Sequence, residues 1–156
     1  MAVQNLKELL DRSGVAYESL RHPPAYTAQE VAGSAHVSGK EMIKTLVVKI
    51  DGRMALVALP ASEHLDLHQL KEATGARAVE LATEAEFASL FPGCDVGAMP
   101  PFGDLYGMDT YITESLTRDR QIAFNAGTHT EVVRMSYQDF ERLAQPKMIV
   151  AAARAS

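Results

Sequence analysis

Cysteine is nearly absent from this sequence. Cys94 stands alone among 156 residues, which excludes an internal disulfide and any cysteine-built metal cluster. Long apolar runs are missing too. No stretch approaches the roughly 20 residues that a membrane-spanning helix needs, so no membrane partner is expected. The opening "MAVQNLKELLDRSG" reads as an amphipathic helix with acidic residues, not as the apolar block of a secretory signal, and the expectation is a cytoplasmic protein. Positive charge is not in excess: 15 Lys and Arg stand against 20 Asp and Glu, a formal net charge of −5. That argues against a broad phosphate-coating surface, because non-specific nucleic-acid affinity comes from many cationic contacts. A small basic pocket gripping one end of a nucleic acid is compatible with the same balance. There is no G-x-S-x-G, no Walker loop, no G-x-G-x-x-G after a strand and no H-E-x-x-H.

What is present suits one domain, residues 1–156, with a real core. Hydrophobic residues make up 47% and charged residues 22%, ordinary globular values. Four helix starts carry capping signals, at Thr27-Ala-Gln-Glu30, Asp66-Leu-His-Gln69, Thr83-Glu-Ala-Glu86 and Ser136-Tyr-Gln-Asp139. In each, a short polar side chain can accept from a free backbone N–H, and the residue three further on can return a bond or favour the positive helix end. With a first helix over residues 4–12, five helices are expected. Strand patterns lie between them: "AYESLRH", "IKTLVVKI", "RMALVALP", "ARAVEL", "DTYITESL", "RQIAFNA" and "TEVVRM". Asp51-Gly52 between the second and third is a strong hairpin signal, and Gly75 should end the Asp66 helix. The mixed order predicts an α/β (α+β) fold, with a mixed sheet curling toward a partial barrel and flanked by helices.

Three features bear on chemistry. In "EMIKTLVVKI", strand alternation puts Lys44 in phase with Leu46, Val48 and Ile50, on the all-aliphatic face. Lys49 falls on the more mixed face with Ile43, Thr45 and Val47 and can reach water. A buried ammonium is costly unless paired, so either Lys44 snorkels to an edge or the site needs a cation. The segment "FPGCDVGAMPPFGDLYG" holds four glycines and three prolines, so it is neither a helix interior nor a central strand. A loop this long in a small domain is more often functional than idle; its glycines let backbone approach a ligand. His129, in "NAGTHTEV", sits where the Gly127 turn meets a strand. His64 and His68 are four apart, but a helix starting at Asp66 leaves His64 outside it, and no third ligand stands nearby; no metal is expected. Beside Asp95, Cys94 has its thiol pKa raised, which disfavours a nucleophile paired with His129.

Taken together, "EMIKTLVVKIDGR", "GAMPPFG" and "FNAGTHTEVVRMSYQDF" resemble the YbaK/prolyl-tRNA-synthetase insertion-domain family, the aminoacyl-tRNA deacylases, over residues 17–143. The resemblance implies that family's fold, a mixed sheet curled toward a barrel with flanking helices. It implies hydrolysis of the ester between a wrong amino acid and the 3′ end of a tRNA, by a free-standing member, since so short a chain has no room for a synthetase. The partner implied is the acceptor end of aminoacyl-tRNA, with transient association with a synthetase and no cofactor. By resemblance, Lys44 matches the family's essential strand lysine and Thr45 follows it in the substrate site. Gly97-Ala98-Met99-Pro100-Pro101 matches the G-x-x-x-P loop that holds the terminal adenosine and ester, so Gly97, Pro100 and Pro101 are substrate-binding. Gly127 matches the late glycine turn, and His129 stands where some members have a functional histidine. One departure is visible: Thr113 precedes "ESL", where the family often has an aspartate.

An aminoacyl ester is already activated, so positioning a water and stabilising the tetrahedral oxyanion can suffice. The expected catalytic residues are Lys44, as a cation at the phosphate or ester, and His129, which is near neutrality at pH 7 if unperturbed and can orient water. Backbone N–H groups of the Gly97 loop and the Gly127 turn would meet the carbonyl oxygen. Alanine, serine, threonine or cysteine on tRNA are the candidate substrates, chosen by pocket size. Loss of methylenes alone discriminates only about 10–200-fold, which is why separate editing sites exist. Two other readings stand beside this one: a non-catalytic aminoacyl- or nucleotide-binding module of the same fold, and a generic esterase with no tRNA dependence.

Overall fold

The start of β2 (Ile43–Ile50) organises the molecule. A computed structural model describes residues 2–23, 41–95, 97–118, 120–149 and 152–154. In it β2 and β3 (Arg53–Pro60) form the predicted hairpin, in antiparallel register from Ile43↔Pro60 to Ile50↔Arg53. Asp51 and Gly52 both take positive φ, 51° and 81°, the pair of left-handed residues that a two-residue turn of this hand requires. The Asp51 carboxylate also accepts from the N–H groups of Arg77 and Ala78, each at 2.9 Å. These bonds tie the turn to β5 (Val79–Leu81), which pairs with the other edge of β2.

The remaining elements are α1 (Ala2–Arg12), β1 (Tyr17–Arg21), β4 (Glu63–Leu65), α2 (Leu67–Thr74), α3 (Glu84–Phe87), β6 (Asp109–Thr113), β7 (Gln121–Asn125), β8 (Glu131–Ser136), α4 (Tyr137–Ala144), β9 (Lys147–Ile149) and β10 (Ala152–Arg154). Three predicted caps form. Asp66 accepts from Gln69 N at 3.1 Å and Ser136 from Asp139 N at 3.1 Å, while Thr83 and Glu86 make a reciprocal capping box. Gly75 ends α2 in the left-handed conformation, φ 69°. The Thr27 start lies outside the described residues. Several expectations need correction. Thr83 begins only a single turn that tightens into a 3₁₀ segment, Ala88–Leu90. The strand "DTYITESL" stops at Thr113, and Glu114–Arg118 form a 3₁₀ turn. "ARAVEL" is a strand only over its last three residues. Strands β4, β9 and β10, three residues each, were not expected.

Sheet order is β5-β2-β3-β6-β9, β1-β8-β7 and β10-β4. β3–β6 and β6–β9 are parallel, and the other strand pairs are antiparallel. This is the mixed α+β architecture expected. A parallel bridge, Met42↔Ala123, joins the five-stranded sheet to the three-stranded one, helped by Ala123 N donating to Glu41 O at 2.9 Å. The curl toward a barrel is this seam; among the described strands the barrel does not close.

Between the two sheets lies the main core. Leu6 and Leu10 of α1 and Phe140 of α4 meet Phe102, Phe124 and Ile112, all essentially inaccessible. The Phe102 ring stands edge-on to Phe124 and Phe140, at 5.5 and 5.4 Å between centroids. Each such side chain contributes about 1.5–3 kcal/mol when fully buried. α2 covers the other face of the five-stranded sheet, Leu70 against Val48, Val57 and Leu59. α1 is also held by an ion pair, Lys7 Nζ to the buried Glu131 carboxylate at 2.7 Å, with Ser19 as a further donor to Glu131.

Candidate active site

Alternation along β2 places Lys44 as the sequence predicted, on the face of Leu46, Val48 and Ile50, over which α2 packs. At Lys44 the aliphatic cover ends. Directly across the hairpin is Leu59. One strand further the parallel β3–β6 register, which aligns Ala58 with Ile112, brings Thr113 into the same row. On the other side the seam continues the face: Met42 and Ala123 are bridge partners, so Lys44 and Asn125, two residues on in each parallel strand, share it. Thr113, Leu59, Lys44 and Asn125 thus form one row across both sheets, polar at three of its four positions.

Lys44 is half-buried. Burial pulls its ammonium below the usual lysine value, and the charge of Glu63 raises it back in part. Among the described residues Lys44 has no ion pair and no hydrogen bond; Glu63 acts on it from beyond ion-pair distance. Glu63, at the start of β4, accepts from Ser115 Oγ at 2.8 Å, and Ser115 Oγ is 3.3 Å from Thr113 Oγ1. Asn125 is 8% exposed, and its Oδ1 is buried with no hydrogen-bond partner among the described residues. Leaving a buried acceptor unpaired is costly, and this one stands at the row's end.

The glycine-proline loop and the late glycine turn are joined to each other. Asp95 N donates to Gly127 O at 2.8 Å, Gly127 N donates to Ala98 O at 2.9 Å, and His129 N donates to the Asp95 carboxylate at 3.2 Å. Both glycines need their freedom, with φ 86° at Gly97 and 98° at Gly127. A Cβ on Gly97 would sit 3.7 Å from His129 Cε1, so the imidazole lies against the loop's turn. Pro100 and Pro101 are buried, and Met99 packs with Val47 on the inner face of β2. The loop is anchored further on by Gly103 N donating to the buried Thr110 Oγ1 at 2.8 Å.

One site expectation changes and one is narrowed. The Gly127 turn was expected to offer backbone N–H groups to the ester oxygen; within that turn the N–H of Gly127 itself goes to Ala98 O. Among the described residues no acceptor takes the N–H of Gly97, Met99 or Thr128, which leaves these as donors of the loop and the turn. Thr45 pairs with Ala58 and shares the inner face with Ile43 and Val47, opposite to Lys44, so the structure does not bring the two side chains together. His64 lies in β4, outside the helix, and His68 pairs with Glu72 at 3.0 Å. Cys94 Sγ is 3.3 Å from Tyr106 Oη, and burial raises its thiol pKa, with Asp95 adding to the rise. Glu63, Ser115 and Asn125 were missed. Asn125 had a signal, its place two residues before the Gly127 turn; Glu63 and Ser115 had none, being 52 positions apart.

Residues 22–143 match the profile of the aminoacyl-tRNA editing domain family. The chain belongs to that family. Over 152 residues this editing domain is 30% identical to the multifunctional Ser/Thr-tRNA deacylase ProXp-y of Escherichia coli (strain K12), covering 94% of this chain and 90% of the relative. It also matches a proline–tRNA ligase of Bacillus mycoides, 28% identical over 93 residues, with 60% of this chain meeting 16% of that one. A crystal structure of a candidate trans-editing enzyme for prolyl-tRNA synthetase superposes with a TM-score of 0.83 at 20% identity, covering 99% and 98% of the two chains. The fold is therefore that of the editing domains, resting on the sheet row and the paired loops just described. No helix among the described residues is long and apolar enough to cross a membrane.

Proposed function

We propose that this editing domain, acting as one free-standing unit, is a deacylase that hydrolyses the ester of mischarged tRNA, with serine and threonine as the amino acids removed. The choice of amino acids is supported by similarity to the Ser/Thr-tRNA deacylase along nearly the full length of both chains. The observation that carries the mechanism is the half-buried Lys44, which lacks a counter-ion among the described residues and stands in one row with Asn125 and Thr113.

An ammonium in this setting has already lost part of its water. An ester oxygen arriving there gains a strong interaction with little further desolvation, and the gain grows as negative charge develops. Lys44 meets the carbonyl oxygen, while the Gly97 and Thr128 N–H groups hold the terminal adenosine or ribose. His129 orients the attacking water. Water oxygen bonds to the carbonyl carbon, and the tetrahedral oxyanion collapses to expel the ribose oxygen. One proton of the attacking water ends on that oxygen to restore the tRNA hydroxyl, the other passes to solvent, and the amino acid leaves as its carboxylate. Pro100 and Pro101 stiffen the loop, and Thr45 supports it from the inner face. With a net charge of −5, contacts concentrate on the acceptor end and the tRNA body adds little. Action in the cytoplasm and transient association with a synthetase fit the same reading.

The test is a deacylation panel of alanine, serine, threonine, cysteine and proline, each charged on tRNA. Serine and threonine should be released fastest, and Lys44→Ala should lose that release while keeping the native circular dichroism spectrum. Full activity of Lys44→Ala on every ester would sink the mechanism, and retention of charged tRNA without release would make the domain a binding module.

A further inference from the structure

Glu63 poses a question that the deacylase reading leaves open. It is a carboxylate within electrostatic reach of Lys44, yet the two make no ion pair. Glu63 is engaged by Ser115 instead, which donates to Oε1 at 2.8 Å and itself leans on the buried Thr113 hydroxyl. Strand pairing fixes the Lys44 backbone, and its side chain leaves from the face that carries the Thr113 row. Among the described residues Glu63 Oε2 has no hydrogen-bond partner. The result is a cation and an anion beside one row of the sheet with no bond between them.

A gap of this kind fits a ligand whose own charges run in the opposite sense. An aminoacyl ester is such a ligand: its carbonyl oxygen, which becomes negative during hydrolysis, and its α-ammonium group sit on adjacent carbons. We propose that Glu63, fixed by Ser115, accepts the α-ammonium group of the ester whose carbonyl oxygen lies against Lys44, and so makes the site selective for esters with a free amino group. This rests on the placement of the ester at Lys44 given above. Charge-assisted hydrogen bonds of this type are about twice as strong as neutral ones. The same carboxylate also works against the wrong substrate. With the amino group acylated, Glu63 is left uncompensated beside a developing oxyanion, a repulsive element that specificity often uses. Thr113, which stands where the family often has an aspartate, then has a part: the acidic group reaches the row from β4 and not from β6.

The experiment compares seryl-tRNA with N-acetyl-seryl-tRNA, each enzymatic rate divided by the uncatalysed rate of the same ester. The intact protein should favour the free amino ester by at least about tenfold, a differential of about 1.4 kcal/mol. In Glu63→Gln the free ester should slow about tenfold while the acetylated one stays the same or speeds up, so that the preference collapses. Ser115→Ala keeps the carboxylate but frees it, and should shrink the preference in the same direction by a smaller factor; it serves also if Glu63→Gln does not fold. Equal slowing of both esters in these variants, or a protein that never distinguished them, overturns the proposal. Lys44→Ala separates the two readings, because it should lose both esters alike. If Lys44→Ala stays active, the placement of the ester fails; if it is inactive while Glu63→Gln keeps the full preference, only the role of Glu63 fails. A wild-type chain that hydrolyses neither ester overturns both.

Discussion

The two lysines of β2 sit five residues apart and lead opposite lives. Lys49, on the inner face near the hairpin turn, pairs with Glu80 at 2.9 Å and with Glu86. Hydrogen bonds to Glu86 and then Glu80 raise its pKa. In return the bond to Lys49, with help from Thr83, holds the Glu86 carboxyl at about 2. Lys44, on the other face, is lowered by burial and only partly restored by Glu63. The first is an ordinary surface cation satisfied by its neighbours. The second has no ion pair among the described residues and stands where the aliphatic cover of α2 runs out. One strand therefore carries a lysine satisfied by two carboxylates and, five residues away, one with no ion pair among the described residues, and the difference lies in what surrounds each side chain, not in exposure alone.

The largest test of this contrast is kinetic. Lys44→Ala should lower single-turnover deacylation of seryl-tRNA by about 100-fold or more, the scale on which removal of one oxyanion-stabilising group acts. Lys49→Ala should leave the rate unchanged; a comparable loss there would erase the distinction. Next in size, a third lysine extends the comparison. Lys7 is tied to the buried Glu131, and Lys7→Met leaves that carboxylate short of a partner, at a cost of about 1–3 kcal/mol, read from urea denaturation. Burial works against the Glu131 charge, but the bonds from Lys7 and Ser19 outweigh it and lower its pKa. Its stabilisation should thus be full above the unfolded value near 4.3 and fade as pH falls through its lower folded value.

A smaller effect has the opposite sign. Lys44→Met should be more stable than the parent at pH 7, by about 0.5–2 kcal/mol, the usual reward for removing a functional strain. A lysine whose folded pKa lies below its unfolded one destabilises while charged, so this gain should shrink as pH rises toward about 10.4. A variant both inactive and less stable would mean that Lys44 is structural after all. The smallest effect belongs to Lys49→Met. Removing the bond that holds Glu86 near 2 should reduce the loss of stability seen as pH falls from about 4.3 toward that value, measured as the shift in thermal midpoint between pH 5 and pH 2.

Much of this arrangement could be read from the sequence because it is local. The Asp66, Thr83 and Ser136 caps, the Asp51-Gly52 turn and the phase of Lys44 each depend on residues within a few positions of one another. What escaped depends on distant chain. Edge strands β4, β9 and β10 are too short to show a period. The 3₁₀ turn at Glu114 interrupts a run whose composition favours a strand, because the chain there turns to put Ser115 on Glu63. Thr45 looked like a companion of Lys44 because it is adjacent, and adjacency in a strand means opposite faces. Nothing local shows which N–H of the Gly127 turn stays free, because Ala98 O, which takes that of Gly127, is distant in the chain. The family resemblance located the loop and the turn; only the register between sheets shows that Asn125 shares a face with Lys44.

The pairing of β1 with β8 has a consequence for how the protein is made. Tyr17–Arg21 finds its partner at Glu131–Ser136, and Ser19 reaches Glu131 across 112 positions. On the ribosome β1 must wait, its edge unmatched, until Glu131–Ser136 has emerged. Such non-local pairing slows folding, and the waiting edge is the natural target for a chaperone. The same wait couples the two ends of the sequence: a chain that stops before β8 loses the lodging of α1 as surely as it loses the last helix. The β2–β3 hairpin that carries Lys44 closes early and alone. The polar row beside it is complete only when β7 has been fixed by the strand that follows, β8.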